Sequence, residues 1–271
     1  MKKINPVKYV CVFVLLIIVT LLISKKIDNN KCVTFKDPVM QTNIYKALKD
    51  SSSLSKNFSK KHMTKDDLKK VKELTIIMWQ DYTTLEDLKY CVNLKTLKLN
   101  SHIIPKEFAN YKYQHDIDSE IPFDDFVEEN GLSDKKRDQF QTELSAVSPK
   151  LKKLKVLYVY GDALCQLTSL QFAASLPELE TLHLFNLIEI KSFAPLRECT
   201  NIKNLTIEYC RISDSRDLLN FDYLESMYIW YTPLGQDEKE VRLLEKAYPD
   251  ADINIYCSWS DSELKEYENE T

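Results

Sequence analysis

One periodicity constrains this chain more than any other property. Seven short segments carry apolar residues two apart: Leu74/Ile76, Leu97/Leu99, Leu157/Val159, Leu182/Leu184, Leu205/Ile207, Met227/Ile229 and Ile253/Ile255. Their first members are separated by 23, 60, 25, 23, 22 and 26 residues. Apolar residues at i and i+2 put both side chains on one face of a strand. A strand that recurs every 22–26 residues marks a repeat array. The segments between the strands have their own period of three: Leu85, Leu88, Cys91, Leu94; Leu170, Ala173, Leu176, Leu179; Phe193, Leu196, Cys199, Ile202; Ser215, Leu218, Phe221, Leu224. That spacing suits a 3₁₀ or short helical return with one buried face. A single strand-and-return unit cannot bury its apolar side, whereas stacked units share one core. The expected fold is therefore an α/β solenoid of stacked strand-and-return units.

The segment ahead of the array reads as helical. Asp37 is placed to N-cap a helix with Pro38 at its first position, and Thr64 with Asp67 three residues on makes a capping-box start. The stretches Phe35–Leu48 (FKDPVMQTNIYKAL), Thr64–Leu74 (TKDDLKKVKEL) and Leu85–Leu99 (LEDLKYCVNLKTLKL) resemble the helical cap and first repeats of bacterial leucine-rich repeat proteins of the internalin-like type. The resemblance covers about 33–100 and 151–256. It implies an α/β leucine-rich repeat solenoid, curved, with parallel strands on its concave face, and a non-enzymatic protein that binds a protein or peptide partner through that face. It has departures. The family places Asn or Cys after each strand, where the side chain bonds neighbouring backbone. Here those positions read Trp79, His102, Asp162, Leu187, Cys210, Thr232 and Ser258, of which Cys210 alone fits outright. The 60-residue step leaves an insert at 101–150 with 11 acidic and 6 basic residues. Phe140, Leu144 and Val147 would form one apolar helical face within it, in an inserted lobe or a degraded repeat plus a loop.

Residues 10–23 are apolar throughout except for Thr20, and lysines flank the run at 8, 25 and 26. This reads as a membrane segment over 8–25. An uncleaved N-terminal anchor is favoured over a cleaved signal, because no A-x-A-like site follows Ile23. The expected organisation is a membrane anchor at 1–31, a helical cap at 32–73, repeats over 74–257 and an acidic tail at 258–271. The expected location is the cell membrane, single-pass, with the repeats outside the cytoplasm. Residues 1–31 hold six lysines and one aspartate, which leaves the rest of a chain of net charge −4 at −9. Such acidity argues against nucleic acid as a partner.

Much familiar chemistry is excluded. With only Gly131, Gly161 and Gly235, no glycine-rich phosphate loop can form. The closest cysteines, Cys199 and Cys210, are 11 apart, so no zinc-ribbon spacing exists. No cofactor or metal is expected. Pairings of Cys210 with Cys165 or Cys257 stay open but are not required by the spacing. The informative positions lie beside the motif leucines. One outward column reads Lys98, Tyr158, His183, Thr206, Tyr228, Asn254; the next reads Asn100, Tyr160, Phe185, Glu208, Trp230, Tyr256. Six of these twelve are aromatic in a chain that averages 11%, an excess that needs a cause. Strands favour aromatics through cross-strand packing, and interface hot spots favour the same residues. The candidate binding residues are Tyr158, Tyr160, His183, Phe185, Tyr228, Trp230 and Tyr256. The other reading is a structural or assembly role, with the patch packed against the insert or a second copy.

Overall fold

The computed structural model describes residues 6–29, 31–49, 51, 54–77, 82–100, 133–161 and 167–256. Seven strands form one parallel sheet in sequence order: β1 (Glu73–Ile77), β2 (Thr96–Asn100), β3 (Val156–Tyr160), β4 (Thr181–Phe185), β5 (Asn204–Glu208), β6 (Ser226–Trp230) and β7 (Asp252–Tyr256). The motif residues stand in rows across it, Leu74, Leu97, Leu157, Leu182, Leu205, Met227 and Ile253 each opposite the next. The long step between β2 and β3 does not shift the register, since Leu97 faces Leu157. From β3 to β6 second and fourth residues are buried, and first, third and fifth are half-exposed. The ladder and its short helical returns make a leucine-rich-repeat-like α/β solenoid.

The returns follow the period of three to the atom. Leu88 donates to the carbonyl of Leu85, Cys91 to Leu88 and Leu94 to Cys91; Leu196, Cys199 and Ile202 repeat the pattern from Phe193. Each bond spans the same three residues that separate the buried side chains, so one local conformation satisfies both backbone and core. In the fourth return a buried serine takes the apolar position. Ser215 satisfies its hydroxyl and amide on Glu240 Oε2, at 2.7 and 2.8 Å. Glu240 lies on α6 (Glu238–Ala247), which precedes β7.

Three further helices add to the described core. Helix α2 (Pro38–Leu48) buries Met40, Ile44 and Leu48 against the array, with Met40 N–H donating to its N-cap Asp37 at 2.6 Å. The four-residue α3 (Lys65–Leu68) starts with the full capping box of Thr64 and Asp67. Asp67 also accepts from Ser55, and although burial would raise its carboxyl, these hydrogen bonds hold it down at about 2. Helix α4 (Ser133–Val147) buries Phe140, Leu144 and Val147. It lies on the return side, beside the Glu86–Tyr90 turn and α5 (Gln171–Ala174). Glu143 accepts from Thr84 Oγ1 and Leu85 N, and Gln141 Oε1 from Thr168 and Ser169 N. The helical part of the insert thus fills the place of a return; residues 101–132 lie outside the described residues.

Gly161, directly after β3, is required by close approach. A Cβ there would sit 2.2 Å from the Asn186 carbonyl oxygen and 2.8 Å from Leu187 Cδ2.

The membrane expectation is not met as stated. Helix α1 spans Pro6–Asn29, but among the described residues no helix is long and apolar enough to cross a membrane. A transmembrane helix over 8–25, and the single-pass location that follows from it, are therefore not shown. Cys165 and Cys257 fall outside the described residues, as do Trp79, His102, Asp162, Ser258 and the tail to 271. Cys210 is a free buried thiol, pushed up to about 12 by burial.

Candidate functional site

The outward residues of β3 to β7 share one face of the sheet, and their columns stand as the alternation predicts. Tyr158 faces His183, which faces Thr206, then Tyr228 and Asn254; Tyr160 faces Phe185, then Glu208, Trp230 and Tyr256. Neighbouring strands lie about 4.8 Å apart, so rings in register are brought to contact distance. Tyr158 and Tyr160 lie parallel at 6.4 Å between centroids. The His183 ring contacts both, at 5.4 and 5.2 Å. Tyr160 meets Phe185 at 5.5 Å, and Tyr228 meets Trp230 at 5.8 Å. These are the separations at which offset and edge-on ring pairs attract.

The line of rings runs on through two residues that the alternation assigns inward. Tyr209 and Tyr231 follow β5 and β6, and each has a positive φ, 50° and 53°. Left-handed backbone is uncommon for a bulky residue. Their amides still continue the ladder, donating to the carbonyls of Trp230 and Tyr256. The reversal that follows carries both rings out of the strand alternation and stacks them on each other at 4.5 Å. Phe185 meets Tyr209 edge-on at 5.4 Å, and Tyr231 meets Tyr256 edge-on at 5.9 Å. Tyr158, Tyr160, Phe185, Tyr209, Tyr231 and Tyr256 thus make one unbroken chain of ring contacts across five strands. A signal existed in the sequence: the same post-strand position holds Gly161 and Asn186 in earlier repeats, residues suited to tight reversals, and Asn186 also has a positive φ of 52°.

Polar groups hold parts of this surface in place. The Tyr228 hydroxyl donates to Asp252 Oδ2 at 2.6 Å, and Trp230 Nε1 donates to Asn254 Oδ1 at 3.0 Å. Asp252 belongs to a third outward column, the first residues of the strands. The hydrogen bond to Asp252 pushes the Tyr228 hydroxyl up, and burial pushes up Tyr160 and Tyr209, so these phenols stay protonated as donors. At the other end Lys98 Nζ stands 5.0 Å over the Tyr158 ring.

His183 Nε2 and Glu208 Oε1 are 3.0 Å apart, both half-buried. Burial beside the tyrosines lowers the imidazole below its ordinary value, and Glu208 offsets this only in part. The fold therefore favours neutral His183. That contribution is present above about pH 6.5 and is lost as pH falls through the lower folded value. Stability of the wild type is expected to decline from pH 6.5 to 5, and His183→Gln is expected to flatten that limb. Urea unfolding at half-unit pH steps checks it.

Among the described residues no three His, Cys, Asp or Glu side chains are grouped to hold a metal ion. Thr232 and Leu187, in the post-strand Asn/Cys column, are buried, and Cys210 Sγ lies 3.3 Å from the Glu208 carbonyl oxygen.

Comparison with known proteins finds remote likenesses. No protein-family model and no curated protein matches the chain. Among solved structures, an internalin from Listeria monocytogenes str. 4b F2365 is similar over 81% of this chain and 56% of that one, at 17% identity and a TM-score of 0.48. Internalin C2 from the same organism is similar over 81% and 83%, at 19% identity and a TM-score of 0.43. This chain thus spans little more than half the length of the first of these.

Proposed function

We propose that this protein is a non-enzymatic recognition module that binds a protein or peptide on its concave face. The observation that carries the reading is the unbroken chain of partly exposed rings from Tyr158 to Tyr256, which no described element covers. Large aromatic side chains supply contact area at low entropic cost and dominate binding energy at interfaces. Packing of this patch against the insert is not supported by α4, which lies on the return side. Tyr158, Tyr160, His183, Phe185, Tyr228, Trp230 and Tyr256 are the proposed contact residues, and Tyr209 and Tyr231 join them.

The test is capture from envelope or host-surface extract on the full chain in detergent. Wild type is expected to retain a discrete partner. A Tyr158/Phe185/Trp230→Ser variant with unchanged circular dichroism is expected to lose it at least tenfold. Equal retention by the two proteins would overturn the reading.

We place the module at a membrane surface through α1. The side chains of residues 13–24 are all exposed around the helix, Phe13 by 66% and Leu21 by 63%. A helix that is apolar all round needs an apolar surrounding, and lipid is one. The full chain is expected to float with phosphatidylcholine vesicles on a density gradient, and a chain lacking residues 1–31 is expected to stay at the bottom. Co-flotation of the shortened chain would assign the attachment elsewhere.

A further inference from the structure

We infer that the concave face of β6 and β7 seats an arginine side chain of the partner, between the rings of Tyr228, Trp230 and Tyr256 and the carboxylate of Asp252. This deepens the recognition role proposed above and rests on it.

Three observations point to a cation. First, the charged residues at the outward positions of β3 to β7 are Glu208, Asp252 and no Lys or Arg. Glu208 is engaged by His183, whereas Asp252 is exposed and accepts one hydrogen bond, from Tyr228, on Oδ2. Second, the chain seats a cation of its own on the same surface where β2 supplies one, Lys98 over Tyr158. At β6 and β7 the outward positions offer rings and a carboxylate, and none of these positions holds a lysine or arginine. Third, everything beyond residue 31 carries a net −9, which draws basic partners over long range.

The rings are held in advance. Tyr228 is tied to Asp252 and Trp230 to Asn254, so little side-chain freedom remains to be lost on binding. Tyr256 is half-exposed at 51%, open to a ligand. Arginine fits this better than lysine. Its planar guanidinium stacks on Trp and Tyr faces and donates to a carboxylate from its edge, whereas an ammonium is a compact, strongly hydrated point charge.

Fluorescence anisotropy on the full chain in detergent would use a labelled (Arg-Thr)5 peptide and its lysine and citrulline counterparts. Citrulline keeps the shape and loses the charge. The arginine peptide is expected to bind at least tenfold more tightly than the citrulline peptide, with lysine between them. Trp230→Leu and Tyr256→Leu leave net charge unchanged and are each expected to weaken the arginine peptide at least fivefold, as is Asp252→Asn. Glu245→Gln, an exposed acid on α6, is expected to change nothing. Equal affinity for the citrulline peptide would overturn the inference. So would indifference to both ring substitutions, which would leave only non-specific attraction between a basic peptide and an acidic protein. If the arginine peptide does not bind but the extract still yields a partner lost in the triple variant, the arginine inference falls and the concave-face reading survives. If neither binds, both fall.

Discussion

Asp37→Ala is expected to destabilise the fold by about 3 kcal/mol, because it removes the acceptor of the buried Met40 amide, which costs about 1–3 kcal/mol unpaired, together with that of the part-buried Thr83 amide and hydroxyl. The Asp37 carboxylate N-caps α2 through Met40 N–H and accepts from the amide and hydroxyl of Thr83, 46 residues away. The Asp37 side chain is fully buried. Asp87, also buried, accepts from the amides of Lys36 and Asp37 at 2.8 Å each. The two acids knit the cap to the first return of the array. Burial alone would raise the Asp37 carboxyl, but the donors around it outweigh burial and leave it below the ordinary value. Burial pushes the Asp87 carboxyl up, against the pull of those two amides. A lowered folded-state value means that the Asp37 contribution is present above about pH 4 and is lost as pH falls through the folded value. Urea unfolding at pH 7 checks the loss. Asp37→Asn, which keeps an acceptor at the cap, should lose less than the alanine variant.

Phe172→Ala is expected to cost about 3–5 kcal/mol, the range for truncating a large aromatic in a closed core. Phe172 heads the fully buried side chains by volume and lies on α5, between α4 and the Ala194–Glu198 turn. A solenoid is held by nearest-neighbour contacts, so a cavity there weakens the junction between the insert-bearing half and the β4–β7 half. Thermal unfolding of the variant is expected to broaden or split in two, with the earlier phase carrying the tyrosine signal of the outward sheet face. Phe172→Leu fills part of the space and should cost less. A single sharp transition at the wild-type temperature would show that the site collapses around the gap.

Some of this could be read before any fold was known, and some could not. From β3 to β7 the two outward columns follow the alternation because that alternation is local and the ladder repeats one register. Tyr209 and Tyr231 were hidden because alternation ends where the strand does, and a left-handed residue then redirects the ring. Asp252 lies outside both columns because it is the first residue of its strand. His183 has its partner Glu208 in the neighbouring column one repeat on, a diagonal pairing that reading down columns does not reveal. The expectation of a membrane span comes from an apolar run, and among the described residues no helix is long and apolar enough to cross a membrane.

What the sequence alone determined is the repeat itself. Periods of two and three are set by backbone geometry within each unit, and burial of a shared apolar face then allows only one stacking. What only the tertiary structure decided is everything joining residues far apart in the chain: Asp37 and Asp87 bonding across about fifty positions, α4 filling the place of a return, and Tyr209 stacked on Tyr231. Those contacts depend on where separate units come to rest against one another, and no local period encodes that distance.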